Sequence, residues 1–227
     1  MCAHYETVHQ PARLRQYFGV EPPTDALRRD IWPGYLSSFI VQGGDEGLQV
    51  RLGCFGLIPH WAKDAKIARQ TYNARSETVA EKPSFRDAWR AARHCIVPME
   101  SFFEPDWRSG KAVPARIARA DDRPLGAAGL WALWHDPQGQ ALHSFTLLTV
   151  NADDHPFMRQ FHKADEEKRM IVVLPPEQYQ AWLQADAAQS SSFLATQPPE
   201  DLVSTAPQAV AAEQSARGRS GDLFSSS

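Results

Sequence analysis

Between Leu36 and Leu174 the chain is cut into short runs rich in Val, Ile, Leu and aromatic residues, each closed by a turn signal. No other feature constrains its fold as strongly. Leu36–Gln42 and Leu48–Phe55 read as strands separated by the Gly-Gly-Asp turn at Gly43–Asp45. Strand signals resume at Cys95–Pro98, Val113–Ala118, Leu125–Trp134 and Ser144–Val150, with turns at Arg108–Gly110, Asp121–Pro124 and Asp136–Gly139. Met170–Leu174 reads as a buried strand. Strands do not alternate with helices, so a parallel α/β sheet is excluded. The pattern predicts an α+β fold with an antiparallel, barrel-like β core and several flanking short helices.

Those helices are expected in a few places. One opens near Pro11 after a short initial strand. A second runs from Ser84 to Arg93, with Ser84 as N-cap and Phe85, Ala88, Trp89 and Ala92 on one face. A short helix is predicted over Pro156–Phe161, and another from Pro175–Pro176 to Gln184, since proline suits a first helical turn. Gly56–Glu81 has no sustained period and reads as a long ordered loop, the kind of segment that often carries function. One domain over 1–198 is expected, followed by a weakly structured tail over 199–227, where Ala, Ser, Gln and Gly dominate.

Formal net charge is −3, so any nucleic-acid binding needs a local basic face. No apolar run is long enough for a membrane span, and no charged-then-apolar leader is visible, so a cytoplasmic location is expected. Cys2, Cys54 and Cys95 are odd in number and lack metal-site spacing, which points to a reducing compartment. The seven tryptophans are by default core residues.

Cys2 directly follows Met1. Methionine removal would make it the mature N-terminus, with amine and thiol two carbons apart on one residue. Such a 1,2-aminothiol condenses with an aldehyde to an imine and closes to a thiazolidine. Alternatively, its thiolate acts as an acyl-transfer nucleophile. Positive charge gathers in Lys63, Lys66, Arg69, Arg75, Lys82, Arg86, Arg90 and Arg93, interleaved with Trp61, Tyr72, Phe85 and Trp89. Basic groups for phosphates and aromatics for bases suit a single-strand groove. Trp89 is assigned to the core and Trp61, beside Pro59 and His60, to base stacking.

Four separated blocks occur in order: MCAHYE at the start, GLIPHWAKD at Gly56–Asp64, YNARSET at Tyr72–Thr78 and HCIVPMESFFEPDW at His94–Trp107. A looser block runs from AAGLWALW through LLTVNADDHPFM to EKRMIVVL. In these motifs the sequence resembles the SRAP family, the SOS-response-associated peptidase-like proteins that handle abasic sites in single-stranded DNA. The likeness covers roughly residues 1–185. It implies the SRAP fold and a DNA-damage function in which Cys2 forms a thiazolidine crosslink with the ring-opened abasic sugar. By motif match, Asn73 and Arg75 hold the sugar and adjoining phosphate, and Glu104 transfers protons. It also implies a peptidase activity at least for leader removal, and leaves lyase chemistry open.

The sequence departs from the family pattern twice. The family begins C-G-R, whereas here Cys2 is followed by Ala3 and His4. His4 then stands where a permanent phosphate-binding charge is expected. The family histidine of H-D-R-M-P is Glu167 here, and the nearest substitute is His162. His162 is preferred because a neutral imidazole accepts and returns a proton near pH 7. The expected site is therefore Cys2, Asn73, Glu104 and His162 for catalysis, with His4, Trp61, Lys63, Arg69 and Arg75 for DNA. No metal or organic cofactor is implied. The expected partner is single-stranded DNA with abasic sites, bound by a monomer that joins the nucleoid when it acts. An N-terminal-nucleophile cysteine amidohydrolase and a non-covalent single-strand binding module are the alternatives. The first predicts an amide substrate and the second binding indifferent to Cys2→Ala.

Overall fold

The computed structural model describes residues 2–24, 28–44, 47–163, 165–196 and 198–205. In chain order the strands are β1 (Tyr5–Thr7), β2 (Asp30–Ile31), β3 (Leu36–Gln42), β4 (Leu48–Phe55), β5 (Asn73–Arg75) and β6 (His94–Asp106). They continue with β7 (Val113–Arg119), β8 (Leu125–His135), β9 (Ala141–Asn151), β10 (Arg169–Ile171), β11 (Val173–Leu174) and β12 (Leu202–Thr205). The α-helices are α1 (Pro11–Phe18), α2 (Arg86–Arg90) and α3 (Tyr179–Gln184). No helix among the described residues is long and apolar enough to cross a membrane.

Strands β3, β4, β9, β8 and β6 form a ring closed by pairing of β6 with both β8 and β3, giving a five-stranded barrel core. Closure removes the exposed strand edges that an open sheet would present. The barrel is mixed, because β4 runs parallel to β9 through Cys54↔Ser144 and Phe55↔Phe145. The barrel-like core is as expected, with the antiparallel pattern broken where β4, and outside the ring β5, run parallel to β9. Between Phe55 and β9 the chain is continuous with other elements, so the β4–β9 contact is made by distant segments whose direction no local turn dictates. Phe39, Phe55 and Phe145 fill the interior, with Phe55 and Phe145 stacked at 5.5 Å and Tyr5 edge-on to Phe55 at 5.3 Å.

The longest strand, β6, organises the functional end. Its first half belongs to the barrel, while its second half pairs with β1 through Tyr5↔Phe102 and with β7 through Phe103↔Arg116. The strand signal was expected to stop at Pro98. Pairing with β1 and β7 carries it through Pro105. Outside the ring, β5 adds parallel to β9 and β10 adds antiparallel to it.

Helix α2 is shorter than the predicted Ser84–Arg93. Its N-cap position is Phe85, with no side-chain cap, and Ala92 adopts a left-handed φ of 47° as the chain turns into β6. Phe85, Ala88 and Trp89 are buried, as their spacing predicts. The predicted Pro156–Phe161 helix is one 3-10 turn over Met158–Gln160, and the helix begun at Pro176 starts as a 3-10 turn before α3. The segment expected as tail supplies β12, which pairs with β7 through Leu202↔Arg119. Asp45 of the first turn and residues 206–227 lie outside the described residues.

Candidate active site

Pairing of β1 with β6 sets the first two site residues side by side. The Phe103 N–H donates to the His4 carbonyl at 2.9 Å, which draws the segment before β1 against the strand carrying Glu104. Cys2 is 1% exposed, and its Sγ lies 3.4 Å from the His4 carbonyl. Burial pushes the Cys2 thiol far up, and the negative charge of Glu104 adds to this; hydrogen bonding at the His4 and Phe103 backbone acts in the opposite sense. At neutral pH the thiol therefore keeps its proton.

Asn73 enters from β5. Its Nδ2 donates to the Cys2 carbonyl at 2.8 Å, fixing the backbone that bears the nucleophile. Its Oδ1 is buried without a hydrogen-bond partner among the described residues, leaving an acceptor unengaged. Tyr72, the preceding residue, was read only as an interleaved aromatic. Its phenol is pushed up first by burial and then by the charges of Cys2 and Glu104, and its ring is edge-on to Phe55 at 5.8 Å. The clue in the sequence was its adjacency to Asn73.

His162 comes from the loop after β9. Its Nε2 lies 3.1 Å from Glu104 Oε2, and both side chains are buried. The loop reaches β6 because the His162 N–H donates to the Pro105 carbonyl at 2.8 Å and Phe161 bridges to Asp106. His162 takes a left-handed φ of 63° to make this turn. Glu167 faces elsewhere. It pairs with Arg75 at 2.8 Å and with Arg169 at 2.7 Å. Arg169 is 2% exposed and also binds Glu77 at 2.8 Å and the Thr149 carbonyl at 2.8 Å. The structure thus brings Cys2, Asn73, Glu104 and His162 together and sets Glu167 in a separate ion-pair network.

The residues expected to meet DNA differ in exposure and in what they touch. Trp61 is 47% exposed, with its indole N–H donating to the Pro83 carbonyl at 3.3 Å. Lys63, Arg69 and Arg75 are exposed. A shallow pocket of about 200 Å³ opens beside Asn73, lined by Arg75, Thr78, Lys82 and Pro83 among others. His4 is engaged by protein. Its Nε2 lies 2.7 Å from Asp30 Oδ1, and its ring is stacked between Trp32 at 4.2 Å and Phe103 at 4.0 Å. That hydrogen bond holds the Asp30 carboxyl below its usual range. Arg93 lies over the Trp131 ring at 5.4 Å.

All three cysteines are free and buried. Among the described residues, no group of three or more His, Cys, Asp or Glu is arranged to hold a metal ion.

A family model described as SOS response associated peptidase (SRAP) matches residues 1–211. Abasic site processing protein YoqW of Bacillus subtilis is 37% identical over 142 residues, covering 61% of this chain and 60% of that relative. The chain thus spans less than two thirds of that relative's length. Abasic site processing protein HMCES of Gallus gallus is 29% identical over 122 residues, covering 44% of this chain and 36% of that protein. Among solved structures, a Bordetella bronchiseptica protein superposes with a TM-score of 0.85 at 42% identity, over 91% of this chain and 100% of that one.

Proposed function

Because the chain belongs to the SOS response associated peptidase (SRAP) family, we propose that it recognises abasic sites in single-stranded DNA and joins them covalently through Cys2. The observation that carries this reading is the convergence of Cys2, Asn73, Glu104 and His162, drawn from four separate segments. The names of relatives such as YoqW, an abasic site processing protein, support the same substrate.

The chemistry follows from the protonation states. The free amine of Cys2, exposed once Met1 is removed, has a reference pKa of about 7.7–8.0 and is substantially neutral near pH 7.5. Its lone pair attacks the aldehyde carbon of the ring-opened deoxyribose. The carbinolamine then loses its hydroxyl as water, taking a proton from the Glu104–His162 pair, and as the C=N bond forms the nitrogen returns its own proton to that pair, leaving a neutral imine. The thiol sulfur attacks that carbon, the π pair moves to nitrogen, and nitrogen accepts the proton that the thiol releases. One water leaves, no electron is gained or lost, and the product is a thiazolidine.

A buried, protonated thiol suits this order, because the amine acts first. It weighs against the amidohydrolase reading, which needs a thiolate as the initial nucleophile. Asn73 holds the Cys2 carbonyl while its Oδ1 accepts from the sugar. Arg75, Lys63 and Arg69 contact phosphates, and Trp61 stacks on a base. Placement in a DNA-damage response and any lyase or self-processing step belong to this same proposal.

The test is a denaturing gel of mature protein with single-stranded DNA carrying one abasic site, beside Cys2→Ala and an undamaged strand. A covalent band that requires both Cys2 and the lesion is the expected result. No band from protein whose free N-terminal cysteine is verified by mass spectrometry overturns the thiazolidine mechanism.

A further inference from the structure

Trp32 is 45% exposed, like Trp61 at 47%, whereas Trp89, Trp134 and Trp182 are buried. It is nevertheless firmly mounted. One face of its indole lies 4.2 Å from the His4 ring at an interplanar angle of 10°, and the far side of His4 lies 4.0 Å from Phe103 at 7°. Asp30 fixes the imidazole between them at 2.7 Å. The backbone is held as well. The Tyr35 N–H donates to the Trp32 carbonyl at 2.9 Å, and the Gly34 N–H donates to the Phe55 carbonyl at 2.7 Å.

Three flat rings therefore run as a column from the active-site strand to the surface. Its inner plate, Phe103, precedes Glu104, and its middle plate, His4, is two residues from Cys2. Among the described residues, His4 is the one ring stacked on Trp32.

We propose that Trp32 is a stacking platform for a nucleobase next to the abasic site, an extension of the His4–Phe103 column. The proposal rests on the abasic-DNA reading above. A flat ring held rigidly and half open loses little rotamer freedom on binding, so base stacking on it is not offset by ordering of the side chain. Every base has a π-face, so this contact is tolerant of sequence. It also gives the strand a fixed point near the reacting sugar, whose missing base can stack on nothing.

The test uses the full chain, as wild type, Trp32→Leu and Trp32→Phe. Binding to an undamaged labelled single strand is read by fluorescence anisotropy. Crosslinking rate against DNA concentration is read for an abasic oligonucleotide, and for ones in which a base on either side of the lesion is replaced by a base-free spacer. Loss of the stack in Trp32→Leu raises the half-saturating DNA concentration roughly tenfold, with the maximal rate changing by less than about twofold. The spacer on the stacked side has the same effect on wild type but adds little in Trp32→Leu, because both remove one contact. Trp32→Phe falls between.

Unchanged half-saturation in a Trp32→Leu protein that melts like wild type overturns the platform and leaves the crosslinking mechanism standing. If Trp32→Leu melts early, Trp32→Phe decides: binding near wild type supports stacking, and a loss equal to that of leucine overturns it. A wild type that binds the strand but never crosslinks removes the covalent reading and leaves the platform to be judged by anisotropy. Failure of wild type to bind either strand overturns both.

Discussion

His162 Nε2 stands 3.1 Å from Glu104 Oε2, with the Glu104 side chain sealed from solvent and that of His162 nearly so. A carboxyl and an imidazole this close can pass a proton between them and to a third group, in the proposed reaction the carbinolamine. Glu104→Gln, close to isosteric, is expected to slow thiazolidine formation about a hundredfold in a crosslinking time course. His162→Asn keeps a residue that tolerates the left-handed φ of 63° and should also slow the reaction. The two losses should be less than additive, since each disables one pair. A rate within twofold of wild type in either variant removes that residue from proton transfer.

Arg75 pairs with Glu167 at 2.8 Å on the exposed side of the network, where a phosphate can take the carboxylate's place. Arg75→Gln should weaken single-strand binding most at low salt. It should also reduce the slope of log affinity against log salt by roughly 0.7, the contribution of one phosphate contact. Titrations at several salt concentrations check this, and an unaltered slope would show that Arg75 meets no phosphate.

His94 should make folding sensitive to acid. Burial holds its pKa down to about 4, against an ordinary value of 6.5, and its Nε2 lies 2.8 Å from the Ser190 hydroxyl. The unfolded chain therefore binds a proton at a pH where the folded chain does not. The stabilising effect of this neutral histidine is complete above pH 6.5, declines as pH falls and is gone below about pH 4. The total is about 3 kcal/mol, from 1.36 kcal/mol for each pH unit. Urea midpoints between pH 7 and 4 should fall more steeply in wild type than in His94→Gln. Parallel profiles would mean that other groups account for the acid sensitivity.

Gly56 opens the GLIP block with φ 119°, and a Cβ there would collide with the backbone of Ala68. Neither the backbone angle nor the contact can relax cheaply, because the Gly56 N–H donates to the Phe145 carbonyl at 2.8 Å. Gly56→Ala should cost about 3 kcal/mol in urea unfolding. A cost under about 1 kcal/mol would mean the loop can shift without consequence.

Much of the site was legible because its residues lie in compact motifs. Asn73 was found in YNARSET, and Glu104 in SFFEP. His162 against Glu167 was not decidable from spacing. The choice depends on whether the loop after β9 folds back onto Pro105, and no local pattern encodes that contact. His4 was read as a DNA contact, yet its partners are Asp30, Trp32 and Phe103, which are remote in sequence or lie on another strand. Tyr72 reads in the sequence as one aromatic among several, because its partly buried position near Cys2 and Glu104 is set by the pairing of β5 with β9.

By itself the sequence determined that the main strands exist and where the turns between several of them fall, the burial of Phe85, Ala88 and Trp89, and the set of side chains able to do aldehyde chemistry. These depend on alternation, turn residues and functional groups, all local properties. Only the tertiary structure decided the parallel β4–β9 seam, the run of β6 through Pro105 into pairing with β1, and the meeting of Cys2 with Asn73, Glu104 and His162. Those are contacts between segments far apart in the chain, set by which edges the closed barrel leaves to be paired and by the burial that pairing brings.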